Sequence, residues 1–452
     1  MPSVGGQHSQ VPAAGRLATG LVAGVDPGRG RRATGRAYVE VVGADRVVVG
    51  HDMRPSSPGL AGAFADGATS AGADVTMIGL ASTDQLYFAS GHLQMPGAMF
   101  TASHNPAQYN GIKMCRTNAS PIGLESGLAE IRDRALAAAP EPSADSGSIS
   151  EHDVLDAYAA HLLSLAPVQG RRLKVVVDAG NGMAGHTAPA VFGRLGDAVE
   201  LVPLYFELDG TFPHHEANPI EAENLVDLQK AVIAEGADAG LAFDGDADRC
   251  FVVDENGRAV SPSTLTALIA ARELAKEPGA VVIHNLITSR AVPEIVTELG
   301  GSPVRTRVGH SYIKATMAET DAIFGGEHSG HFYFRDFWRA DSGMLAALHT
   351  LAALAESSGT LSELLSEYER YPMSGEINSE VADPTARMEA IVERYSDGEL
   401  TRPDGISIDY ADWHFNVRPS NTEPLLRLTL ESLVSHEDME RRRDEVLGLI
   451  RA

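Results

Sequence analysis

The chain has 452 residues, more than one hydrophobic core usually organises, so two to four domains are expected. Its 61 acidic and 36 basic side chains give a formal net charge of −25, which excludes long-range attraction to nucleic acid or anionic membranes but not a small phosphorylated substrate in a local positive pocket. Cys115 and Cys250 are too few and too far apart for a disulfide framework or a CxxC metal motif, and no apolar run reaches the ~18–20 residues of a membrane-spanning helix, so a cytoplasmic location is expected.

Residues 1–37 are rich in Gly, Pro and Arg, lack the apolar stretch of a signal peptide, and are expected to be irregular. Beyond them, "RVVVG" (Arg46 to Gly50) and "ADVTMIGL" (Ala73 to Leu80) flank a segment of helical composition, a strand–helix–strand unit. The theme recurs in "LKVVVDAGNGMAG", in "ADAGLAFDGDADRCFVVDENGR", which places an acidic loop between two strands, and in "AVVIHNLITS" and "DAIFGGEHSG". Several α/β units with parallel sheets are implied. The stretches 137–153 and 369–386 have linker composition, and residues from about 380 onward suggest a small α+β domain.

Four loops carry candidate chemistry. "TASHNPAQYNGIK" (Thr101 to Lys113) follows an expected strand and holds Ser103, His104 and Lys113. A strand's carboxyl end is where open α/β sheets place ligands, although Ser, Asn and Pro also suit a capped turn. There is no GxSxG elbow. "DGDADR" sets Asp244, Asp246 and Asp248 at alternate positions, a costly arrangement unless a cation neutralises it, and hard oxygen ligands suit Mg²⁺. An EF-hand is excluded because its sixth position is Arg249, not glycine; a solvated acidic turn is the alternative. "GGEHSGH" alternates Glu327, Ser329 and His331, suited to hydrogen-bonding a sugar or to an ordinary Gly-rich turn, and its spacing is not that of a zinc helix. "RPSNTEP" puts Arg418, Ser420, Asn421 and Thr422 in one turn, either a phosphate cradle or a plain turn.

In this order, about a domain apart, the four loops resemble the α-D-phosphohexomutase family, most closely its phosphomannomutases and phosphoglucomutases. The resemblance spans residues 40 to 450. It implies three related α/β domains with mixed or parallel sheets and a smaller C-terminal α+β domain around a central cleft. The expected limits are 38–145 for domain I, 146–253 for domain II, 254–370 for domain III and 371–452 for domain IV. By residue, the resemblance implies that Ser103 carries the phosphoryl group and that Asp244, Asp246 and Asp248, with phosphorylated Ser103, hold Mg²⁺. His104, Lys113, Arg249 and His331 would line the reaction centre, with His104 and Lys113 the acid/base candidates. His310, Glu327 and Ser329 would read the sugar, and Arg418, Ser420, Asn421 and Thr422 would clamp the phosphate that is not transferred. The implied reaction converts mannose 6-phosphate and mannose 1-phosphate through a bound hexose 1,6-bisphosphate. The alternatives are a phosphoglucomutase or dual-specificity enzyme of the same mechanism and, more remotely, a catalytically impaired sugar-phosphate-binding homologue. Hexose phosphates are the expected partners, and the chain is expected to be a monomer or homodimer.

The chain departs from the family at two places. No Tyr-Asp-x-Arg-Gly-like motif opens it, so the family's first strand and its active-site arginine are expected to be missing and domain I incomplete at its N-terminus; Arg54 stands at a matching family position and is expected to compensate in part. "HNLITS" replaces a segment that carries a lysine in some dual-specificity members.

Overall fold

A computed structural model describes residues 27–137, 146–419 and 425–452. The first sheet contains β1 Arg46–His51, β2 Asp74–Leu80, β3 Gly97–Phe100, β4 Ile112–Arg116, β5 Ser120–Pro121 and β6 Ile149–Glu151, ordered β5-β4-β3-β1-β2-β6. The second contains β7 Leu173–Asp178, β8 Val199–Leu204, β9 Ala239–Phe243, β10 Cys250–Asp254 and β11 Ala259–Val260, ordered β11-β10-β9-β7-β8. The third contains β12 Val281–Asn285, β13 Ser302–Thr306, β14 Phe324–Gly326, β15 Phe332–Phe334 and β16 Ala340–Asp341, ordered β13-β12-β14-β15-β16.

These three sheets share one topology. Each runs fifth, fourth, third, first, second strand; the first three are parallel and the last two antiparallel. The third strand of each is buried throughout, as helices on both faces require, so "GAMF", "AGLAF" and "FGG" carry no charge. The loop that leaves this strand connects the parallel part to the antiparallel part. Three of the four candidate loops occupy that one position in their respective sheets.

The last sheet is wholly antiparallel: β17 Met373–Glu380, β18 Glu399–Thr401, β19 Ile406–Asp409, β20 Trp413–Pro419 and β21 Leu425–Ser432, ordered β17-β21-β20-β19-β18. Helices Pro384–Arg394 and His436–Arg451 pack together, the second against β17 and β21. One apolar cluster runs through the first three domains and includes Met99, Leu241, Phe332 and Leu348. The C-terminal domain has its own, around Trp413, Phe415, Leu428 and Ile450. Polar contacts join it to the third domain: Arg290 donates to Asp409 and to the Tyr410 carbonyl, each at 2.9 Å, and its backbone N–H donates to Glu431, also at 2.9 Å.

Several sequence expectations are corrected. Residues 27–37 are not irregular: Pro27–Val42 is a helix packed on helix Ser57–Ser70. Two glycines permit that approach, since a Cβ on Gly35 would lie 2.0 Å from the Phe64 carbonyl oxygen and one on Gly67 1.9 Å from that of Arg32. Buried Tyr38 then donates to the carbonyls of Gly97 and Cys115 at 3.0 and 2.7 Å, tying this helix to β3 and β4. The first sheet has the same five strands as its two counterparts, and among the described residues no strand precedes β1. Both supposed linkers contain structure: β6 extends the first sheet from a stretch assigned to domain II, and β17 lies within 369–386. Likewise β11, assigned to domain III, closes the second sheet. Residues 1–26 and 138–145 lie outside the described residues.

Candidate active site

Ser103 lies just beyond β3, with φ at +52°, a left-handed backbone that a non-glycine residue adopts only at a cost of about 1–2 kcal/mol. Its neighbours hold it there. Its N–H donates to Thr101 Oγ1 at 2.9 Å, and its Oγ donates to Asp244 Oδ2 at 2.8 Å. Gly245 is required at this junction: a Cβ there would stand 2.4 Å from the Ser103 carbonyl oxygen.

Arg54 does not take up the role expected of it. Its side chain is fully buried beside Asp52, 3.2 Å away, and donates to the carbonyls of Ser103, Asn105, Pro106 and Tyr109 at 2.6–3.1 Å. The guanidinium thus braces the underside of the Ser103 loop instead of facing a ligand. Its planar fork suits four carbonyls in a way a lysine could not match.

Asp244, Asp246 and Asp248 are all buried, with carboxylate oxygens within 4.8 Å of one another. Arg249 Nε pairs with Asp244 at 2.9 Å. Lys113, its side chain 24% exposed, pairs through Nζ with Asp246 at 2.7 Å and Asp248 at 2.5 Å, and Thr83 donates to Asp246. Burial raises the carboxyl pKa values of Asp244 and Asp248, and the like charge of Asp246 adds to it. Burial opposes ionisation of Asp246 too, but Lys113 and Thr83 outweigh it and hold that carboxyl well below the usual range. Burial likewise disfavours charge on Lys113, yet the two aspartates push its pKa upward. Lys113 is therefore the counter-cation of the acidic loop in this arrangement. Asp246 Oδ1 and Asp248 Oδ1 are buried without hydrogen-bond partners among the described residues. Three converging hard oxygen donors, two of them with an unpaired oxygen, fit a divalent cation such as Mg²⁺.

The third loop comes from the other side. Arg249 and His331 form an isolated backbone bridge, and His331 Nε2 is 3.6 Å from Asp248. Ser329 Oγ donates to Glu327 at 2.8 Å and lies 3.0 Å from His331 Nδ1. Glu327, Ser329 and His331 thus cluster as their alternation predicts, while His328 faces Ser263 instead. The His310 ring lies 5.0 Å from that of His331. Burial, with His310 next, lowers the pKa of His331 well below that of a free imidazole; desolvation of the ring, with cationic Arg249 next, lowers that of His104, tempered by the exposure of the residue as a whole. Both shifts favour the neutral imidazole. His104 Nδ1 is 3.3 Å from Ser103 Oγ.

Of the fourth loop, Arg418 is described and pairs with Glu376 at 2.5 Å; Ser420, Asn421 and Thr422 lie outside the described residues. The sequence reading missed three supports: Thr83, and the pair Lys314–Asp341, 2.8 Å apart and both at most 5% exposed, with Asp341 3.9 Å from His310. A lone Lys and Asp in separate elements give no sequence signal; only their burial together does.

Three α/β domains of one topology, a fourth domain of its own, and three loops meeting around a triad of aspartates define a multidomain enzyme of phosphoryl transfer. The comparisons agree. The chain matches phosphoglucomutase/phosphomannomutase alpha/beta/alpha domain I over residues 30–140, domain II over 156–257, domain III over 261–371 and the C-terminal domain over 376–449. It is 41% identical to a phosphomannomutase of Salmonella montevideo over 426 residues, covering 92% of this chain and 93% of that one. It is 42% identical to a protein of Xanthomonas campestris pv. campestris named phosphohexose mutases, covering 90% and 91% of the two chains. A solved phosphoglucomutase/phosphomannomutase family protein from Burkholderia thailandensis superposes with a TM-score of 0.86 at 33% identity, covering 97% of each chain. The chain belongs to the phosphoglucomutase/phosphomannomutase family, and is a phosphohexomutase, an isomerase. Among the described residues, no helix is long and apolar enough to cross a membrane.

Proposed function

We propose that this enzyme interconverts mannose 6-phosphate and mannose 1-phosphate through a phosphorylated Ser103 and a bound hexose 1,6-bisphosphate. The observation that carries this reading is the position of Ser103 Oγ, 2.8 Å from Asp244 at the mouth of the aspartate triad. The phosphoryl group leaves Ser103 Oγ as a sugar hydroxyl attacks phosphorus, and the bisphosphate forms. After the sugar turns around, its other phosphate returns to Ser103 and the isomer departs. The attacking sugar hydroxyl loses a proton and the departing Ser103 oxygen gains one; His104, whose Nδ1 is 3.3 Å from Oγ, accepts the first and delivers the second, and the return step reverses this. Asp244, Asp246 and Asp248 would hold Mg²⁺, which when bound supplies positive charge to the phosphoryl oxygens. Arg249, with its buried Nη2 unpartnered among the described residues, adds a donor to the same region. Glu327 and Ser329 orient the sugar hydroxyls, and Arg418, Ser420, Asn421 and Thr422 hold the phosphate that is not transferred. The polar junction between the third and fourth domains suits a swing of the latter during the sugar's turn.

Mannose is favoured by the name of the Salmonella relative. Rates on mannose and glucose 1-phosphates, with the enzyme primed by hexose 1,6-bisphosphate and Mg²⁺, test the reading. Equal rates would make it a dual-specificity enzyme, and no interconversion of either sugar would reject it.

A further inference from the structure

Asp84 is fully buried, and three hydroxyls converge on its carboxylate. Ser82 donates to Oδ1. Tyr158 donates to Oδ2 at 2.7 Å, and Ser342 to the same oxygen at 2.6 Å. Tyr158 belongs to domain II and Ser342 to domain III, so one carboxylate of domain I bonds both of the other α/β domains. Burying a carboxylate is costly unless its oxygens are hydrogen-bonded, and here both are. Two helix N-termini also favour the negative charge: Asp84 lies in the first turn of helix Thr83–Leu93, which Ser82 caps, and Ser342 caps helix Gly343–Glu356.

Thr83, between Ser82 and Asp84, is fully buried too and bonds Asp246 twice. Its N–H donates to the Asp246 carbonyl at 2.9 Å, and its hydroxyl donates to Asp246 Oδ2, the oxygen that also takes Lys113. With the backbone pinned and Oδ2 occupied, Oδ1 is the oxygen of this carboxylate left without a hydrogen bond among the described residues.

We propose that Thr83 and Asp84 are positioning residues for the divalent cation: Asp84 anchors the segment Ser82–Asp84 to domains II and III, and Thr83 orients Asp246 so that Oδ1 is the oxygen offered to the cation. The inference rests on the assignment of the aspartate triad to a divalent cation. Neither residue belongs to the acidic loop, and Thr83 lies 163 residues from Asp246. A group bonded behind a metal ligand fixes the ligand's direction and basicity, and its loss typically lowers metal affinity about 10–100-fold. A shift of domain II or III against domain I would pull on Asp84 and reach Asp246 through Thr83.

Calorimetric titration of the full chain with Mg²⁺, in the absence of sugar, tests this, alongside the Mg²⁺ concentration that half-activates the primed enzyme. Thr83→Val keeps the shape and loses the hydroxyl; Mg²⁺ affinity should fall about ten-fold or more, and the half-activating concentration should rise in step. Thr83→Ser restores the hydroxyl and should bind within about two-fold of the wild type. Asp84→Asn turns one acceptor into a donor and should weaken binding about three-fold or more. The double variant Thr83→Val/Asp84→Asn should bind no more weakly than Thr83→Val alone, because Asp84 acts through Thr83. Tyr158→Phe, in another domain, should reproduce part of the Asp84→Asn loss, and it serves where Asp84→Asn does not fold. Titrations run well below each melting temperature, so lost stability alone leaves the binding constant unmoved. Wild-type Mg²⁺ affinity in Thr83→Val, or full additivity in the double variant, overturns the proposal. A wild type that itself binds no Mg²⁺ overturns the assignment of the triad and this inference with it, a result distinct from unchanged affinity in the variants.

Discussion

The guanidinium of Arg54 donates to the carbonyl oxygen of Ser103 at 2.9 Å, fixing from beneath the loop that presents the proposed phosphoryl carrier. Three further carbonyls of the same loop accept from it. Arg54→Lys keeps the charge near Asp52 but loses the fork, and kcat is expected to fall about a hundred-fold through a loosened Ser103. Arg54→Met leaves Asp52 buried and unpaired and should cost about 3–5 kcal/mol of stability. Steady-state kinetics and chemical denaturation check the pair; a normal kcat in the lysine variant would refute the bracing role.

Ser103 separates function from stability. Ser103→Ala should abolish interconversion and should lack the single phosphate that mass spectrometry is expected to find on the wild type, with sugar phosphate binding retained. Ser103→Gly should be equally inactive yet about 1 kcal/mol more stable than the alanine variant, because its φ of +52° costs glycine nothing. Denaturation midpoints of the two variants decide it: if alanine proves the more stable, the backbone is not strained.

Lys113 and a divalent cation would neutralise the same two carboxylates, Lys113 at the Oδ2 atoms of Asp246 and Asp248 and the cation at their Oδ1 atoms. In EDTA, Lys113→Met should lose about 2–3 kcal/mol, less than a fully buried pair because Lys113 is 24% exposed. Mg²⁺ should then raise the melting temperature of the variant more than that of the wild type, since binding to the folded state stabilises it by mass action. Equal Mg²⁺ increments in both proteins would refute this shared role.

His215 provides a pH dependence of its own. Its Nδ1 faces the Glu216 carbonyl at 2.9 Å and its Nε2 faces Asp178 at 3.0 Å, so the doubly protonated ring satisfies both acceptors. Burial opposes the charge, but Asp178 outweighs it and lifts the pKa above 6.5. The folded state therefore holds this proton more tightly than the unfolded one. The stabilisation is complete below about pH 6.5 and lost as pH rises through the folded value. The melting-temperature gap between wild type and His215→Gln should be larger at pH 6 than at pH 9; a gap independent of pH contradicts the assignment.

Much of the molecule was legible in the chain. The β-branched runs give the strands because buried parallel strands need apolar residues on both faces. The acidic loop stands out because three aspartates at alternate positions are costly without a cation. Less legible was the N-terminal helix. Its glycines disfavour helix locally, and it forms because Gly35 and Gly67 let two helices touch backbone to backbone and because Tyr38 finds two carbonyls on β3 and β4. Arg54 was misread for a similar reason: sequence places an arginine near the site but not on which side of the loop its side chain lies.

By itself, then, the sequence determined the local chemistry: which residues can carry a phosphoryl group, bind a hard cation, or read a hydroxyl. The tertiary structure alone decided their partners. Ser103 meets Asp244 across 141 residues and Lys113 meets Asp248 across 135, separations that no local pattern encodes. What joins them is one topology used three times, which puts the loop after the third strand of each sheet at an equivalent place, and one continuous apolar core that fixes the three sheets so that those places converge.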